Sequence, residues 1–291
     1  MLFERGTHIV SASRRTDIPA FYAEWFAHRI RKGSCRVANP FNPSQIKEVS
    51  LRREDVAAFV FWTRNARPLR PFLAEIDDGG HNYYFLYTIT GYPKRYEPGL
   101  PSAAESIDDF LFLAERIGPE RVIWRYDPVV LTPDLDAGYH RRNFTKLAQR
   151  LSEGTKSVVI NFVKTYRHIH AELSRCGYAD PSASERDVLV NMFAETAASA
   201  GIAIQFCGRR KCGTEAGEGK CIDEKRLKRL FGLELSARKD PGQPKDCRCI
   251  RSVDIGRYGT CLHCCMYCYA SRSFSDAFRR YRMHDCSKDM L

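Results

Sequence analysis

The chain has 291 residues, of which 44% are hydrophobic and 28% are charged. This composition is ordinary for a globular protein and excludes a disordered or fibrous one. The formal net charge of +11 permits an anionic partner such as nucleic acid, although the lysines and arginines are spread along the chain.

Seven short segments rich in β-branched and aromatic residues predict buried β-strands. They are residues 8–13, 56–62, 82–90, 121–125, 157–163, 202–207 and, with a weaker pattern, 252–258. Amphipathic patterns predict helices over residues 20–32, 104–117, 140–152 and 184–200, the last ended by Gly201. Alternating strands and helices predict an α/β protein with a parallel sheet, and the strand spacing suits a partial or full (β/α) barrel. We expect one domain over residues 1–291, within which residues 207–291 form a Cys-rich portion.

Charged or hydrogen-bonding residues follow most of the predicted strands. In parallel α/β proteins the carboxyl ends of the strands form the ligand site, so these residues are candidates for binding a cofactor or substrate. The candidates are Arg14, Asp17, Arg64, Asn65, Arg125, Asp127, Asn161 and Lys164. Arginine matches carboxylate and phosphate groups in a bidentate manner, which favours a ligand with such a group. The alternative is that these residues are polar only because they leave the sheet and meet water.

Twelve cysteines are the strongest anomaly of the composition. No apolar run reaches the roughly 18 residues of a membrane helix, and the first residues lack an export signal. We therefore expect a cytoplasmic protein without membrane contact. Thiols stay reduced in the cytoplasm, so metal or cluster binding is the first interpretation. Ten of the twelve cysteines lie between Cys207 and Cys286.

One segment, YGTCLHCCMYCYA, contains Cys261, Cys265 and Cys268 in a C-x3-C-x2-C spacing with Tyr267 before the last cysteine. Three thiolates on one loop can bind three irons of a four-iron cubane and leave the fourth iron open to a small molecule. Cys264 is adjacent to Cys265, and neighbouring side chains normally point apart, so we do not expect Cys264 to be a ligand.

This spacing is similar to the cluster motif of the radical S-adenosylmethionine (SAM) enzymes, and Tyr267 to Ala270 looks like the form in the branch that includes spore photoproduct lyase. The segments SASRRTDIPAFY, FWTRN, WRYDP, CIDEK and SVDIGRYGTC resemble an uncharacterised bacterial family with a C-terminal cysteine cluster. The resemblance implies a radical-SAM-like barrel with a [4Fe-4S] cluster on Cys261, Cys265 and Cys268. It also implies that SAM binds the open iron, is cleaved reductively with electrons from a donor such as ferredoxin or flavodoxin, and starts radical chemistry on an unknown substrate.

The superfamily normally carries its motif after the first barrel strand, whereas here the motif lies near the C-terminus. A circularly permuted barrel would account for this position. Residues 252–258 would then be the strand before the cysteine loop, and the N-terminal strand would be its neighbour.

A second set of cysteines could form a fully ligated second cluster or an all-cysteine zinc site. The set is Cys207, Cys221, Cys247 and Cys249, with Cys212 spare. Ordinary free thiols are the alternative for this set, and Cys35, Cys176 and Cys286 are expected to be non-ligands. Zinc could also bind Cys247 and Cys249 together with Cys265 and Cys268, or His263, although a loop histidine is more often solvated.

The leading functional hypothesis is a radical-SAM-like iron-sulfur enzyme in which Tyr92, Tyr126 or Cys264 could return a hydrogen atom to a substrate radical. The alternatives are a zinc- or cluster-stapled nucleic-acid-binding protein and an iron-sulfur electron-transfer protein. The sequence contains no legible Ser-His-Asp arrangement, phosphate-binding glycine loop or HExxH helix, which disfavours hydrolase and P-loop activities.

Overall fold

The computed structural model describes residues 7–207 and 217–291 of the chain. Its strands, in chain order, are β1 (His8–Ala12), β2 (Ser34–Asn39), β3 (Asn42–Ser50), β4 (Val56–Thr63), β5 (Tyr83–Thr88), β6 (Val122–Val129), β7 (Ser157–Phe162), β8 (Ala203–Cys207), β9 (Gly217–Gly219) and β10 (Val253–Asp254). Eight of them form a parallel sheet in the order β10-β1-β4-β5-β6-β7-β8-β9, and β2 and β3 form an antiparallel hairpin. The predicted α/β class and parallel sheet are confirmed.

All seven predicted strands are present in the sheet, the weakest of them reduced to the two residues of β10. Three strands were not predicted. The β2–β3 hairpin is largely exposed and contains Pro43, so it lacks an apolar pattern, and β9 is a short Gly-Glu-Gly segment. Within the described ranges β10 and β9 are the two edges of the sheet and do not pair with each other. These strands are therefore consistent with a partial barrel and do not form a closed one.

The helices are α1 (Ile18–Phe21), α2 (Ala23–Lys32), a 3₁₀ helix (Arg67–Phe72), α3 (Leu73–Asp78), α4 (Ala103–Ile117), α5 (Ala137–Leu151), α6 (His170–Arg175), α7 (Ala183–Ser199), α8 (Glu224–Phe231) and α9 (Phe274–Arg282). Four of these, α2, α4, α5 and α7, confirm the predicted helices. Capping boxes at Ser102 and Ser182, each with a glutamate three residues later, begin α4 and α7. The other helices have four to nine residues and are shorter than these four. No helix in the described ranges is long and apolar enough to cross a membrane.

The sheet is covered on both faces, as expected for parallel strands. Phe59 and Phe61 of β4 pack into the larger core, which also contains residues of the long helices. Val60 and Trp62, which alternate with them, belong to a second core on the other face. Cys221, Cys249 and α8 also belong to that second core, so the Cys-rich portion covers one face of the sheet.

Strand β10 joins the Cys-rich portion to the N-terminal strand. Val253 pairs with Val10 and Asp254 with Ser11, in parallel. The Asp254 carboxylate accepts hydrogen bonds from the hydroxyls of Ser11 and Ser13 at 2.9 and 2.6 Å and from the Arg14 amide at 2.8 Å. The loop that follows β10 is thereby fixed beside the carboxyl end of β1.

Candidate functional site

A cavity of about 300 Å³ opens at the carboxyl ends of the strands. Residues at or just after the ends of β1, β4, β5, β6, β7 and β8 line it. Seven of the eight predicted binding residues contribute to its wall: Arg14, Asp17, Arg64, Arg125, Asp127, Asn161 and Lys164. The eighth, Asn65, lies outside the wall, where its side-chain oxygen accepts a hydrogen bond from the Arg67 amide at 3.2 Å.

The cysteine loop, defined as residues 259–271, brings the predicted cluster thiols to this cavity. Cys261, Cys265 and Cys268 all line it, and Cys264 does not. Cys264 has a positive φ of 55°, and its Sγ lies 3.4 Å from the Leu262 carbonyl oxygen. Of the two adjacent cysteines, only Cys265 lines the cavity.

Burial favours the protonated form of the three thiols of the loop. Burial raises the pKa of each, and that of Cys265 reaches about 12. The charge of a deprotonated Cys268 raises the pKa of Cys261 and Cys265 further. Arg64 acts in the opposite direction on Cys265, because its Nη1 donates a hydrogen bond to the Sγ at 3.6 Å.

A buried carboxylate, Glu97, anchors one side of the cysteine loop. Its Oε1 accepts hydrogen bonds from Arg64 at 2.6 Å, from the Thr90 hydroxyl at 2.5 Å and from the Tyr267 hydroxyl. The side chain of Glu97 is only 4% exposed. Sequence reasoning missed this residue, because nothing in its loop, GYPKRYEPG, separates a buried carboxylate from a solvated one.

A second anchor connects Asp17 to His263. The Asp17 carboxylate accepts four hydrogen bonds. One oxygen accepts from the Ala20 amide at 3.0 Å and the Thr63 hydroxyl at 2.8 Å. The other accepts from the Arg64 amide and the His263 Nε2, both at 2.7 Å. Both of its oxygens are therefore occupied by protein donors, so Asp17 positions the cysteine loop. The expectation of a solvated His263 was wrong, since this side chain is 2% exposed and packs on Phe21.

The second cysteine set reaches another part of the same wall. Cys207 is the last residue of β8, and the other three members, Cys221, Cys247 and Cys249, lie in loops. A hydrogen bond connects these loops, because the Ile222 amide donates to the Cys249 Sγ at 3.4 Å. The Cys221 thiol interacts with the thiols of Cys207 and Cys249, and Cys249 interacts with Cys247. These contacts lower the pKa of Cys207 and Cys249 and raise that of Cys221 and Cys247.

The remaining cysteines take no part in the cavity. Cys35 is buried in β2, Cys176 packs near Met266, and Cys286 is half-buried elsewhere. Cys212 lies outside the described residues. In residues 7–207 and 217–291 no three His, Cys, Asp or Glu side chains are already arranged to hold a metal ion.

Two arginines share one aromatic ring in the wall. The guanidinium carbons of Arg14 and Arg125 lie 5.0 and 4.8 Å from the centre of the Trp62 ring. Arg125 forms an ion pair with Asp127, and Arg14 donates a hydrogen bond to the Ser252 hydroxyl at 3.2 Å. The ring therefore holds two cations side by side in the cavity.

One family model matches the chain over residues 9–270, and its description is "Domain of unknown function (DUF1848)". The chain belongs to the DUF1848 family. No curated protein matches it. The DUF1848 match contains the whole cavity wall, from Ser13 to Ala270, and leaves α9 and the residues after it outside.

The structure does not bring the predicted hydrogen-atom donors to the cavity of this DUF1848 chain. The Tyr92 hydroxyl donates to the Pro128 carbonyl oxygen at 2.9 Å, and the Tyr126 hydroxyl lies 2.8 Å from the His140 Nδ1 in the core. Cys264 also lies off the wall. Three other tyrosines line the cavity: Tyr166, and Tyr267 and Tyr269 on either side of Cys268.

Proposed function

We propose that the protein is an iron-sulfur enzyme resembling the radical SAM enzymes. In this proposal Cys261, Cys265 and Cys268 hold a [4Fe-4S] cluster, and SAM and a substrate occupy the cavity. The observation that carries the proposal is that these three thiols line the cavity at the strand ends, whereas the neighbouring Cys264 does not. The chemistry that such a group supplies when bound is one-electron reduction of SAM, which starts radical chemistry on the substrate.

The donor set is chemically suited to the cluster. Thiolates are the ligands that iron-sulfur clusters take, and metal binding displaces the thiol protons that burial otherwise retains. Arg64 beside Cys265 favours the deprotonated form of that sulfur. Glu97 and Asp17 fix the loop from two sides, so the three sulfurs stay oriented towards the cavity.

The position of β10 supports the permuted, radical-SAM-like order of elements. The cysteine loop follows β10, and β10 pairs with β1 in parallel. A motif near the C-terminus thus follows a strand beside the N-terminal one, as a circularly permuted barrel requires.

The second metal site belongs to the same proposal. Cys207, Cys221, Cys247 and Cys249 would provide four thiolates to a second [4Fe-4S] cluster or to zinc, and their mutual influence on one another's pKa values, together with their common place in the cavity wall, supports a shared occupant. A site with four protein ligands has no open position, so its role would be structural or the relay of electrons from a ferredoxin- or flavodoxin-like donor.

Anaerobic purification with quantification of iron, sulfide and zinc tests the proposal, followed by electron paramagnetic resonance of the reduced protein with and without SAM. We expect iron and sulfide, and a spectrum that SAM changes. Cys261→Ala should abolish the response to SAM and Cys264→Ala should keep it. Zinc in place of iron, with salt-sensitive binding of nucleic acid, would favour a nucleic-acid-binding protein. A redox-active cluster that ignores SAM would favour electron transfer.

A further inference from the structure

The charges of the cavity wall are unevenly matched. The wall holds five cationic side chains, Arg14, Arg15, Arg64, Arg125 and Lys164, and two carboxylates, Asp17 and Asp127. Four of these cations have a carboxylate partner in an ion pair: Arg15 with Asp254, Arg64 with Glu97, Arg125 with Asp127 and Lys164 with Asp246. Arg14 is the remaining cation, and its side chain forms no ion pair within the described part of the chain. The Arg14 guanidinium is half-buried, lies beside the Cys249 thiol and is near Asp254 without pairing with it, so it still favours a further anionic partner.

Unused hydrogen-bond donors lie around the same place. The Arg14 Nη2, the Arg125 Nε and the Trp62 Nε1 are buried, and none has a hydrogen-bond partner among the residues that the structure describes. The three side chains contact one another through the Trp62 ring. Buried donors without acceptors are costly, and three on one contiguous cluster point to acceptors that a ligand supplies.

We propose that the Arg14–Trp62–Arg125 cluster binds the anionic group, a phosphate or a carboxylate, of a small-molecule substrate. Guanidinium groups present donors in a fork that matches both kinds of oxyanion. The cavity of about 300 Å³ is of small-molecule size, and a nucleic-acid duplex would not fit inside it.

The location of the cluster assigns the anion to the substrate. Arg64, the guanidinium beside Cys265, uses its Nη1 for Glu97 and Cys265 and its Nη2 for the Thr90 hydroxyl, whereas the buried Nε of Arg125 keeps no partner among the described residues despite the ion pair with Asp127. Arg14 lies instead beside Cys249, and its main-chain oxygen accepts a hydrogen bond from Tyr269, which directly follows Cys268. The anion would therefore lie between the two cysteine sets, with the rest of the substrate directed towards the cysteine loop. This last point rests on the proposed function, whereas anion binding itself does not.

Isothermal titration calorimetry of the purified protein, with its iron content measured, tests the inference. The titrants are inorganic phosphate, acetate and, separately, SAM. The variants are Arg14→Gln, Arg14→Lys and Arg125→Gln, and the control is Arg121→Gln, which removes an arginine stacked on Tyr83 at 4.5 Å outside the cavity. Thermal unfolding of each variant establishes that it is folded.

We expect phosphate or acetate to bind the unmodified protein and the Arg121→Gln variant equally. Arg14→Gln and Arg125→Gln should each weaken binding about tenfold or more, the effect of losing a charge-assisted hydrogen bond, and Arg14→Lys should weaken it less. Binding should persist in Cys261→Ala, so failure of the cluster proposal would leave this result intact.

Two outcomes would overturn the inference. One is that neither anion binds the unmodified protein, or that Arg14→Gln binds it as well as the control does. The other is that only SAM binding weakens in Arg14→Gln while neither small anion binds, which would assign the arginines to the cofactor. Where neither anion binds, loss of metal from the second cysteine set in Arg14→Gln would show that Arg14 neutralises thiolates instead.

Discussion

Replacing Glu97 by Gln tests whether a buried charge fixes the cysteine loop. Glu97 is 4% exposed and Arg64, its partner at 2.6 Å, is 12% exposed. The same carboxylate oxygen also accepts hydrogen bonds from Thr90 and Tyr267. The substitution keeps the size of the side chain but removes the only carboxylate that pairs with Arg64 in the described part of the chain.

The expected cost follows from the charge that is left behind. Arginine cannot lose its proton in a protein, and removing one partner of a buried ion pair costs about 3–5 kcal/mol. The Gln amide oxygen can still accept one hydrogen bond, so we expect about 3 kcal/mol. A typical domain is stable by roughly 5–15 kcal/mol, so this loss is a large fraction of its free energy of unfolding.

Urea unfolding followed by circular dichroism measures this cost. Glu75→Gln is the control, because Glu75 pairs with Arg31 at the same distance of 2.6 Å but with side chains 34% and 48% exposed. An exposed pair contributes about 0–1 kcal/mol. The double variant Arg64→Met/Glu97→Leu should lose less stability than Glu97→Gln alone, because it leaves no unpaired charge. The reasoning fails if Glu97→Gln costs no more than Glu75→Gln.

Three further changes test other parts of the structure. Burial lowers the pKa of His140 from 6.5 to about 4, so the unfolded chain takes up the proton first. Stability should therefore fall by about 3 kcal/mol as the pH falls from about 6.5 to about 4. His140→Gln should flatten that part of a plot of urea midpoint against pH, and an unchanged plot would contradict the assignment. Gly256→Ala would place a Cβ 2.1 Å from the Ser13 Oγ, and relieving this clash should lower the free energy of unfolding by roughly 1–3 kcal/mol. An unaltered midpoint of thermal unfolding would show that the backbone after β10 can move away from Ser13. Asp17→Asn replaces an acceptor oxygen by an amide donor that faces the Arg64 amide or His263, and so weakens the hold of Asp17 on the cysteine loop. In metal-free protein we therefore expect Cys265 to react faster with a thiol reagent and Cys264 to react as before. Equal rates at Cys265 would mean that Asp17 does not hold the loop.

Local sequence patterns determined much of this architecture. The apolar segments predicted the sheet because buried parallel strands need an apolar side chain at nearly every position. The polar residues after them predicted the rim because parallel strands all end at the same edge. Segments such as FWTRN and WRYDP therefore predicted that Arg64, Arg125 and Asp127 lie at one ligand site, and all three line the cavity. The spacing of Cys261, Cys265 and Cys268 is likewise local, since one loop carries all three.

Only the tertiary structure decided which polar groups are buried and what they contact. Glu97 meets Tyr267 across 170 positions of the chain, and Asp17 meets His263 across 246. Tyr126 stands between the wall residues Arg125 and Asp127 in the sequence, yet its hydroxyl contacts His140 in the core. A carboxylate or histidine looks the same in a sequence whether water or a distant strand surrounds it, because its environment is set by packing between segments. The contacts that hold the cysteine loop, and the absence of a carboxylate ion pair for Arg14 in the described residues, therefore depend on the packing of strand β10 beside β1.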